Sequence, residues 1–444
     1  MCYNVVIMSS NSPQLLKGFR DFGPDKMSAR LVMLEKIRKS FERFGFAPME
    51  TPVLEYEKTL TGKYGAEEKL MYRFSDQGGR AVAMRYDLTV PLARFYTTNK
   101  ETLPKPFKRY AIGPVWRAEN TQKGRFREFY QCDVDVVGSS SAIADAESIA
   151  AIYAALKDLG LQSVTIRINN RKIIQGILEV IGVDGKKTVS VLRFLDKIDK
   201  QGEGKVKKLL EQDGMSSGQV KDLFDYLQLS ASESKGLQDN FSRLMLENKN
   251  LAEGIGELSD VLDALYGMGV TTYTVDLKLA RGLDYYTGTV CEMVLSELPN
   301  FGSIAGGGRY NNLIGTVSGG KEKIPAVGMS IGIDRLIVAL EDLDLIKYDS
   351  TQDVLVFNLD EDKLGTYLGI VTGLRRGGVN ADLYYKTDSI DKQFKYADSK
   401  KINLAVIIGE DEIKKGIVTI KNLATRKQWS VKSNKLLEEI KKSL

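Results

Sequence analysis

The chain has 444 residues, 43% hydrophobic and 27% charged, with 63 Lys and Arg against 58 Asp and Glu, a formal charge of +5 and no histidine. These are the proportions of an ordinary globular protein of two or three domains, and the lack of imidazole excludes a Ser-His-Asp triad, a Cys-His pair and a His-ligated zinc. No apolar run approaches the ~20 residues that span a bilayer, Met1–Asn11 has no signal-like pattern, and Cys2, Cys132 and Cys291 have no metal-ligand spacing, so the expectation is a cytoplasmic protein with reduced thiols, no membrane association and no metal held by a cluster of its own side chains.

Residues 26–46 carry Leu31, Leu34, Ile37, Phe41 and Phe44 at helical spacing, which predicts an amphipathic helix. The following "FAPMETPVLE" is punctuated by Pro48 and Pro52 and reads as extended. Strand patterns follow at 81–86, 107–117, 126–137 and 163–169. Helical pattern then dominates 171–266, and strands resume at 273–279 and 286–295, so a sheet-based domain (1–340) is expected to hold a helical insertion (171–266). A helix is expected at 329–342. The polar "EDLDLIKYDSTQ" reads as a linker. Beyond it, 352–444 alternates strand ("DVLVFNL"), helix (361–376), strand ("NADLYY"), helix (388–401) and strand ("NLAVIIG") before a closing helix, the pattern of a small α/β domain with a largely parallel sheet. This tail is mildly basic, which permits RNA binding without requiring it.

The densest chemical signal is "GPVWRAENTQKGRFREFYQCDVDVVG", 113–138. It reads as a strand, a polar loop and a second strand, with Arg117, Lys123, Arg125 and Arg127 close together. Period-two alternation puts Arg127, Phe129, Gln131, Asp133 and Asp135 on one face. Composition alone leaves two readings open: a solvated hairpin, or a polyphosphate site gripped by guanidinium groups. In "LARGLDYYTGTVCE" (279–292), Arg281, Asp284, Tyr285 and Tyr286 crowd a turn, although tyrosine pairs usually pack. "IAGGGRYNNLIG" (304–315) allows close backbone approach or marks a turn. "AVGMSIGIDRL" (326–336) runs from strand into a helix carrying Arg335. "MRYDLTVPLAR" (84–94) places Asp87 and Thr89 on one face of a strand end.

Together these segments resemble the signature motifs of class II aminoacyl-tRNA synthetases. "RGLDYYTGTV" followed by "GGGRY", with "KGFRDFGP" (17–24) near the N-terminus and "KQFKYAD" (392–398) in the tail, is similar to the histidyl-tRNA synthetase family. The resemblance covers essentially the whole chain. It implies an α+β fold: a class II antiparallel sheet core with a helical insertion, plus a C-terminal α/β anticodon-binding domain. It implies ATP and Mg²⁺ as cofactors, and histidine, tRNA(His) and a second copy of the chain as partners. By position, Arg117 would meet the ATP α-phosphate and the amino acid carboxylate, Glu119 the adenine edge, Arg125 the γ-phosphate and Arg335 the adenine face. Arg281 would stabilise charge at the α-phosphate and, with Arg117, form the catalytic pair. Asp87, Thr89 and Gln131 would bind the α-amino group. Tyr285 belongs to the same histidine pocket, and Asp135 and Tyr286 would hydrogen-bond the imidazole. Pro52 matches a dimer-interface proline. Phe19, Ala118 and the Asn311-Asn312 pair depart from the family's usual residues without removing a catalytic group.

Such a chain would activate histidine with ATP and pass it to the tRNA by positioning and fixed charge, chemistry that needs no imidazole from the protein. The competing expectations are a non-catalytic paralogue that regulates histidine biosynthesis, and a binding module that has lost activity. Arg117, Arg125, Arg281 and Arg335, all present, speak against both, as the C-terminal domain does against the first.

Overall fold

The computed structural model describes residues 13–229, 231, 233–280, 285–320, 322–346 and 352–444. It divides into two compact units, one comprising Met1–Arg20 and Met33–Leu345, the other Asp21–Val32 and Ile346–Leu444.

The larger unit is built on an eight-stranded sheet. Its strands run in the order Ala47–Pro48, Phe107–Trp116, Glu128–Val137, Ala326–Gly332, Ala305–Arg309, Thr289–Leu295, Val164–Asn170 and Tyr273–Val275. Only the two edge pairings are parallel. The central strands are antiparallel, in a register that sets Asp133 beside Ser330, Ser330 beside Gly306 and Gly306 beside Glu292. The alternate residues Cys132, Val134, Met293, Met329 and Ile331 are buried on the opposite face. The helices Ala142–Asp158 and Lys249–Gly267 pack on this sheet. Alternation therefore makes one face apolar core, each buried side chain stabilising the fold by about 1.5–3 kcal/mol, and leaves the other to a polar site.

The Gly306–Gly308 run lies within a strand. A Cβ on Gly307 would sit 2.1 Å from the Gly328 carbonyl oxygen, and one on Gly328 would sit 2.0 Å from Asp135 Oδ1. These glycines let backbone and carboxylate approach where any side chain would collide.

Between sheet strands the chain inserts a series of helices, from Arg171–Val180 to Lys249–Gly267. The first and last of these cross tightly: a Cβ on Gly176 would lie 2.6 Å from Leu251 N, and one on Gly254 2.8 Å from Ile173 N. Arg167 joins sheet to insertion, with Nη1 2.9 Å from Asp199 and Nε 2.7 Å from Asp276. A separate three-stranded sheet of Leu54–Tyr56, Ala81–Met84 and Arg73–Ser75 leads into the helix Thr89–Asn99.

The smaller unit has a five-stranded sheet ordered Ala381–Leu383, Val354–Val356, Leu404–Ile407, Ile417–Asn422 and Gln428–Lys432. The first three strands are parallel and the last two antiparallel. Val354, Val356, Leu404 and Val406 pack with Tyr367, Val371 and Ile440 in its core.

Three details differ from the sequence reading. Asp87 and Thr89 do not share a strand end, because the strand stops at Met84 and Thr89 opens a helix whose first N–H groups Asp87 caps. Residues 329–332 belong to a strand, and the helix begins at Ile333. The Ile417–Lys432 strand pair interrupts what read as a continuous path to the closing helix, Leu436–Ser443.

Candidate active site

A cavity of about 370 Å³ opens on the polar face of the large sheet. Asp87, Thr89, Arg117, Glu119, Arg125, Gln131, Tyr285, Tyr286 and Arg335 line it, drawn from four separate stretches of sequence. Arg281 lies outside the described residues. Asp135 does not line the cavity.

The hairpin of Phe107–Trp116 and Glu128–Val137 supplies one wall. Its loop is closed by the Arg117 N–H on the Arg127 carbonyl (2.9 Å) and turns at Gly124, φ +72°. Arg117 crosses the faces of Tyr86 and Phe129, its guanidinium carbon 4.4 and 5.2 Å from their ring centroids, and Nε donates to the Tyr86 carbonyl at 3.0 Å. Burial disfavours its charge, but Tyr86, Glu119, Glu67 and Asp87 more than offset that and hold the guanidinium protonated. Arg125 reaches Glu119 at 3.5 Å, with both side chains about a third exposed. Such an open pair is weak and easily exchanged for a phosphate partner.

Asp87 is fixed from several sides. Oδ1 accepts from Tyr64 Oη (3.1 Å), Thr89 N (3.1 Å) and Val90 N (2.9 Å), and Oδ2 accepts from Tyr285 Oη (3.2 Å). Burial raises the pKa of its carboxyl, opposed by these donors and by Arg117. An ammonium group at this end of the cavity would favour the ionised form. Gln131 donates from Nε2 to Ser330 Oγ at 2.8 Å, so its orientation is set by the neighbouring strand.

The two aspartates of "QCDVD" part company. Asp135 Oδ2 pairs with Arg109 Nη2 at 2.6 Å, and Tyr310 Oη donates to Oδ1. Both of its carboxylate oxygens are therefore engaged by protein groups, and it is not among the cavity-lining residues, where the sequence reading set it at the imidazole. Asp133, on the same strand face, lines the cavity instead. Burial pushes its carboxyl up to about 7, against the pull of Arg109 and the Ser330 hydroxyl and with the nearby Asp135 and Asp87 adding to the rise.

The arginine of "GGGRY" also turns away. Arg309 forms a buried ion pair with Asp145 and donates to the Ser139 carbonyl at 2.9 Å, fastening the helix Ala142–Asp158 to the sheet. Arg335 lines the cavity next to Phe301, 5.3 Å from its ring centroid, with Nη2 donating to the Phe301 carbonyl.

Sequence reasoning missed several lining residues. Phe129 and Asp133 lay on the face that alternation had marked, so a signal existed. Glu67, which accepts from Tyr86 Oη at 2.8 Å, and Glu292 and Ser303 gave none. Asp196 and Lys200 reach the cavity from the helical insertion, and only the tertiary fold brings them there. Among the described residues no group of three or more Cys, Asp or Glu could hold a metal ion.

The family model described as histidyl-tRNA synthetase matches residues 18–336, and one described as anticodon binding domain matches 353–443. The histidine–tRNA ligase of Wolinella succinogenes is 43% identical over 426 residues, covering 94% of each chain. That of Rhodopirellula baltica is 40% identical, covering 94% of this chain and 95% of its own. The crystal structure of histidyl-tRNA synthetase from Nostoc sp. PCC 7120 superposes with a TM-score of 0.87 at 33% identity, over 98% of this chain and all of that one. With family matches over both units, relatives matched end to end and a cavity that gathers the motif residues on one sheet face, the chain belongs to the histidyl-tRNA synthetase family.

Proposed function

We propose that this chain activates histidine with ATP to histidyl-adenylate and transfers the histidyl group to the 3′ end of tRNA(His). The observation that carries the reading is the gathering of opposite charges in one cavity: the buried carboxylates Asp87 and Asp133, and the arginines 117, 125 and 335. The carboxylates suit an ammonium and an imidazole, the arginines a nucleoside triphosphate. ATP–pyrophosphate exchange with each of the twenty amino acids tests it. Exchange with histidine alone is expected, and exchange with none would return the chain to the regulatory reading.

The histidine carboxylate is ionised at neutral pH and attacks the α-phosphorus without a base. A carboxylate O–P bond forms, the bond to the β-phosphate oxygen breaks, and pyrophosphate leaves with the electron pair. Arg117, assisted by Arg281, holds the two anions together and neutralises charge developing on phosphorus. Arg125 takes the γ-phosphate, Glu119 the adenine edge, and Arg335 stacks on the ring. Asp87, Thr89 and Gln131 bind the α-amino group. Tyr285 orients Asp87, and Asp133 and Tyr286 read the imidazole. In the second step a ribose hydroxyl attacks the histidyl carbonyl carbon, and the leaving phosphate of AMP accepts its proton.

Glu67, Glu119 and Glu292 bring carboxylates to the cavity, and Mg²⁺ commonly binds through one or two carboxylates together with substrate phosphates. The residues present therefore suit a magnesium ion carried by the nucleotide, where it would offset phosphate charge.

The domain 352–444 would grip the anticodon. A homodimer is supported by the exposed apolar face of the three-stranded sheet, where Leu54, Tyr56 and Phe74 lie open just after Pro52. Cys132 and Cys291 are buried, and no described helix is long and apolar enough to cross a membrane. Both fit a cytoplasmic home.

A further inference from the structure

The segment Lys17–Arg20 lies outside the cavity lining, and the reaction above assigns it no task. It nevertheless joins the two pieces of backbone that carry the ATP-facing groups. The Gly18 carbonyl accepts from the Arg127 N–H at 2.9 Å, and the Lys17 carbonyl from Arg127 Nη1 at 3.4 Å. Arg127 Nε in turn holds the Glu119 carbonyl at 3.1 Å. Gly18 has φ +88°, and a Cβ there would sit 2.7 Å from Arg127 Cγ, so the segment lies directly against the hairpin loop. Arg20 then bridges onward. Its guanidinium carbon is 3.2 Å from the Phe126 ring centroid, and Nη2 donates to Asp334 Oδ1. The other oxygen of Asp334 accepts from the Tyr130 N–H at 2.7 Å. Asp334 lies in the first turn of the helix Ile333–Asp342 and immediately precedes Arg335, while Phe126 lines the cavity one residue beyond Arg125.

We infer that Arg20 is a positioning residue for ATP: stacked on Phe126 and paired with Asp334, it fixes the hairpin loop bearing Glu119 and Arg125 relative to the helix start bearing Arg335. A planar guanidinium can stack and hydrogen-bond in its plane at once, which an ammonium cannot. At the histidine end of the cavity Asp87 is held by Tyr64, Tyr285 and the N–H groups of Thr89 and Val90, so loss of the clamp should fall chiefly on ATP.

The inference rests on the histidine-activation reading only for its assay. ATP binding is measured calorimetrically without histidine, and exchange kinetics are measured for both substrates, in the parent, Arg20→Ala and Arg20→Lys proteins. Loosening a positioned loop should weaken ATP binding and raise its KM by about 10-fold in Arg20→Ala, with the histidine KM within about twofold. Arg20→Lys should fall between, and added methylguanidinium should restore ATP affinity to Arg20→Ala. A purely structural role would lower the active fraction or shift both KM values together, without guanidinium rescue. Should Arg20→Ala not fold, Arg20→Lys decides alone. ATP affinity equal to the parent's in whichever variant folds would overturn the inference. An absence of histidine-dependent exchange in the parent would instead defeat the functional reading, leaving the ATP-binding comparison intact.

Discussion

Asp135 Oδ2 lies 2.6 Å from Arg109 Nη2, and each side chain is 1% exposed. Tyr310 closes the pair from the other side, and Gly328 leaves the room its carboxylate occupies. Two charges so enclosed depend on each other: removing one partner strands the other at a cost of about 3–5 kcal/mol. Asp135→Ala should therefore lower the thermal and urea midpoints markedly, while the folded fraction keeps nearly the parent's KM for ATP and histidine. If the midpoints hold and only the histidine KM climbs, Asp135 reaches the substrate directly and the pairing described here opens on binding.

Asp133 is the group whose ionisation the site controls. In a protein without histidine it supplies a carboxyl held at about 7, raised by burial with Asp135 and Asp87 nearby and restrained by Arg109 and the Ser330 hydroxyl. Arg85 and Tyr286 also sense its charge. Ionised, its carboxylate accepts an imidazole N–H more strongly than the neutral acid does, so the histidine KM should rise as pH falls from 8 to 6, beyond the change due to the substrate's own ring. Asp133→Asn should raise the KM at pH 8 and flatten that extra dependence. Stability runs the opposite way. The folded state retains this proton more tightly than the unfolded chain, so this group's contribution is fully present below the unfolded value near 4 and is lost as pH rises through about 7. Ligand-free Asp133→Asn should lose less stability than the parent between pH 5 and 8, and parallel curves would remove Asp133 from this role.

Arg117 and Arg309 are both deep in the fold, yet their losses should differ in kind. Arg117 sits in the cavity between aromatic faces, aimed where phosphate charge develops. Arg117→Ala should cut exchange by roughly 10²–10³ with only a modest change in melting. Arg309 serves Asp145 and the Ser139 carbonyl. Arg309→Ala should unfold or strongly destabilise the protein, by about 3–5 kcal/mol. Near-normal stability in Arg309→Ala, with lost exchange, would place it in the chemistry instead.

The hairpin at 113–138 could be read from sequence because period two is a local property: Gln131 and Asp133 had to share a face once the strand was recognised. Which aspartate lines the cavity was not local. Arg109 and Tyr310 decide it, the latter 175 positions away, and no pattern within the strand encodes them. The same limit hid the partner of Arg20, 314 positions distant, and the arrival of Asp196 and Lys200 from the insertion. Asp87 was legible as a site residue but not as a helix cap, because apolar, β-branched sequence at 84–92 looks like a strand until the capping carboxylate is seen at work.

The two units invite separation of the two half-reactions. Every residue lining the cavity belongs to the larger unit, and the smaller has its own sheet and its own apolar core. A chain ending at Ile346 should therefore still form histidyl-adenylate, with exchange kinetics within a few-fold of the parent. Aminoacylation should fall much further, chiefly through the KM for tRNA, because an anticodon-binding domain adds affinity for the nucleic acid and not for ATP. Raising ionic strength should narrow the difference in charging between parent and truncated chains, since the parent has more phosphate contacts to lose. Circular dichroism and a melting curve establish that the truncated protein is folded before the rates are compared. Equal loss of exchange and charging in a folded truncation would mean that residues beyond 346 shape the active site, and the assignment of the C-terminal unit to tRNA alone would fall.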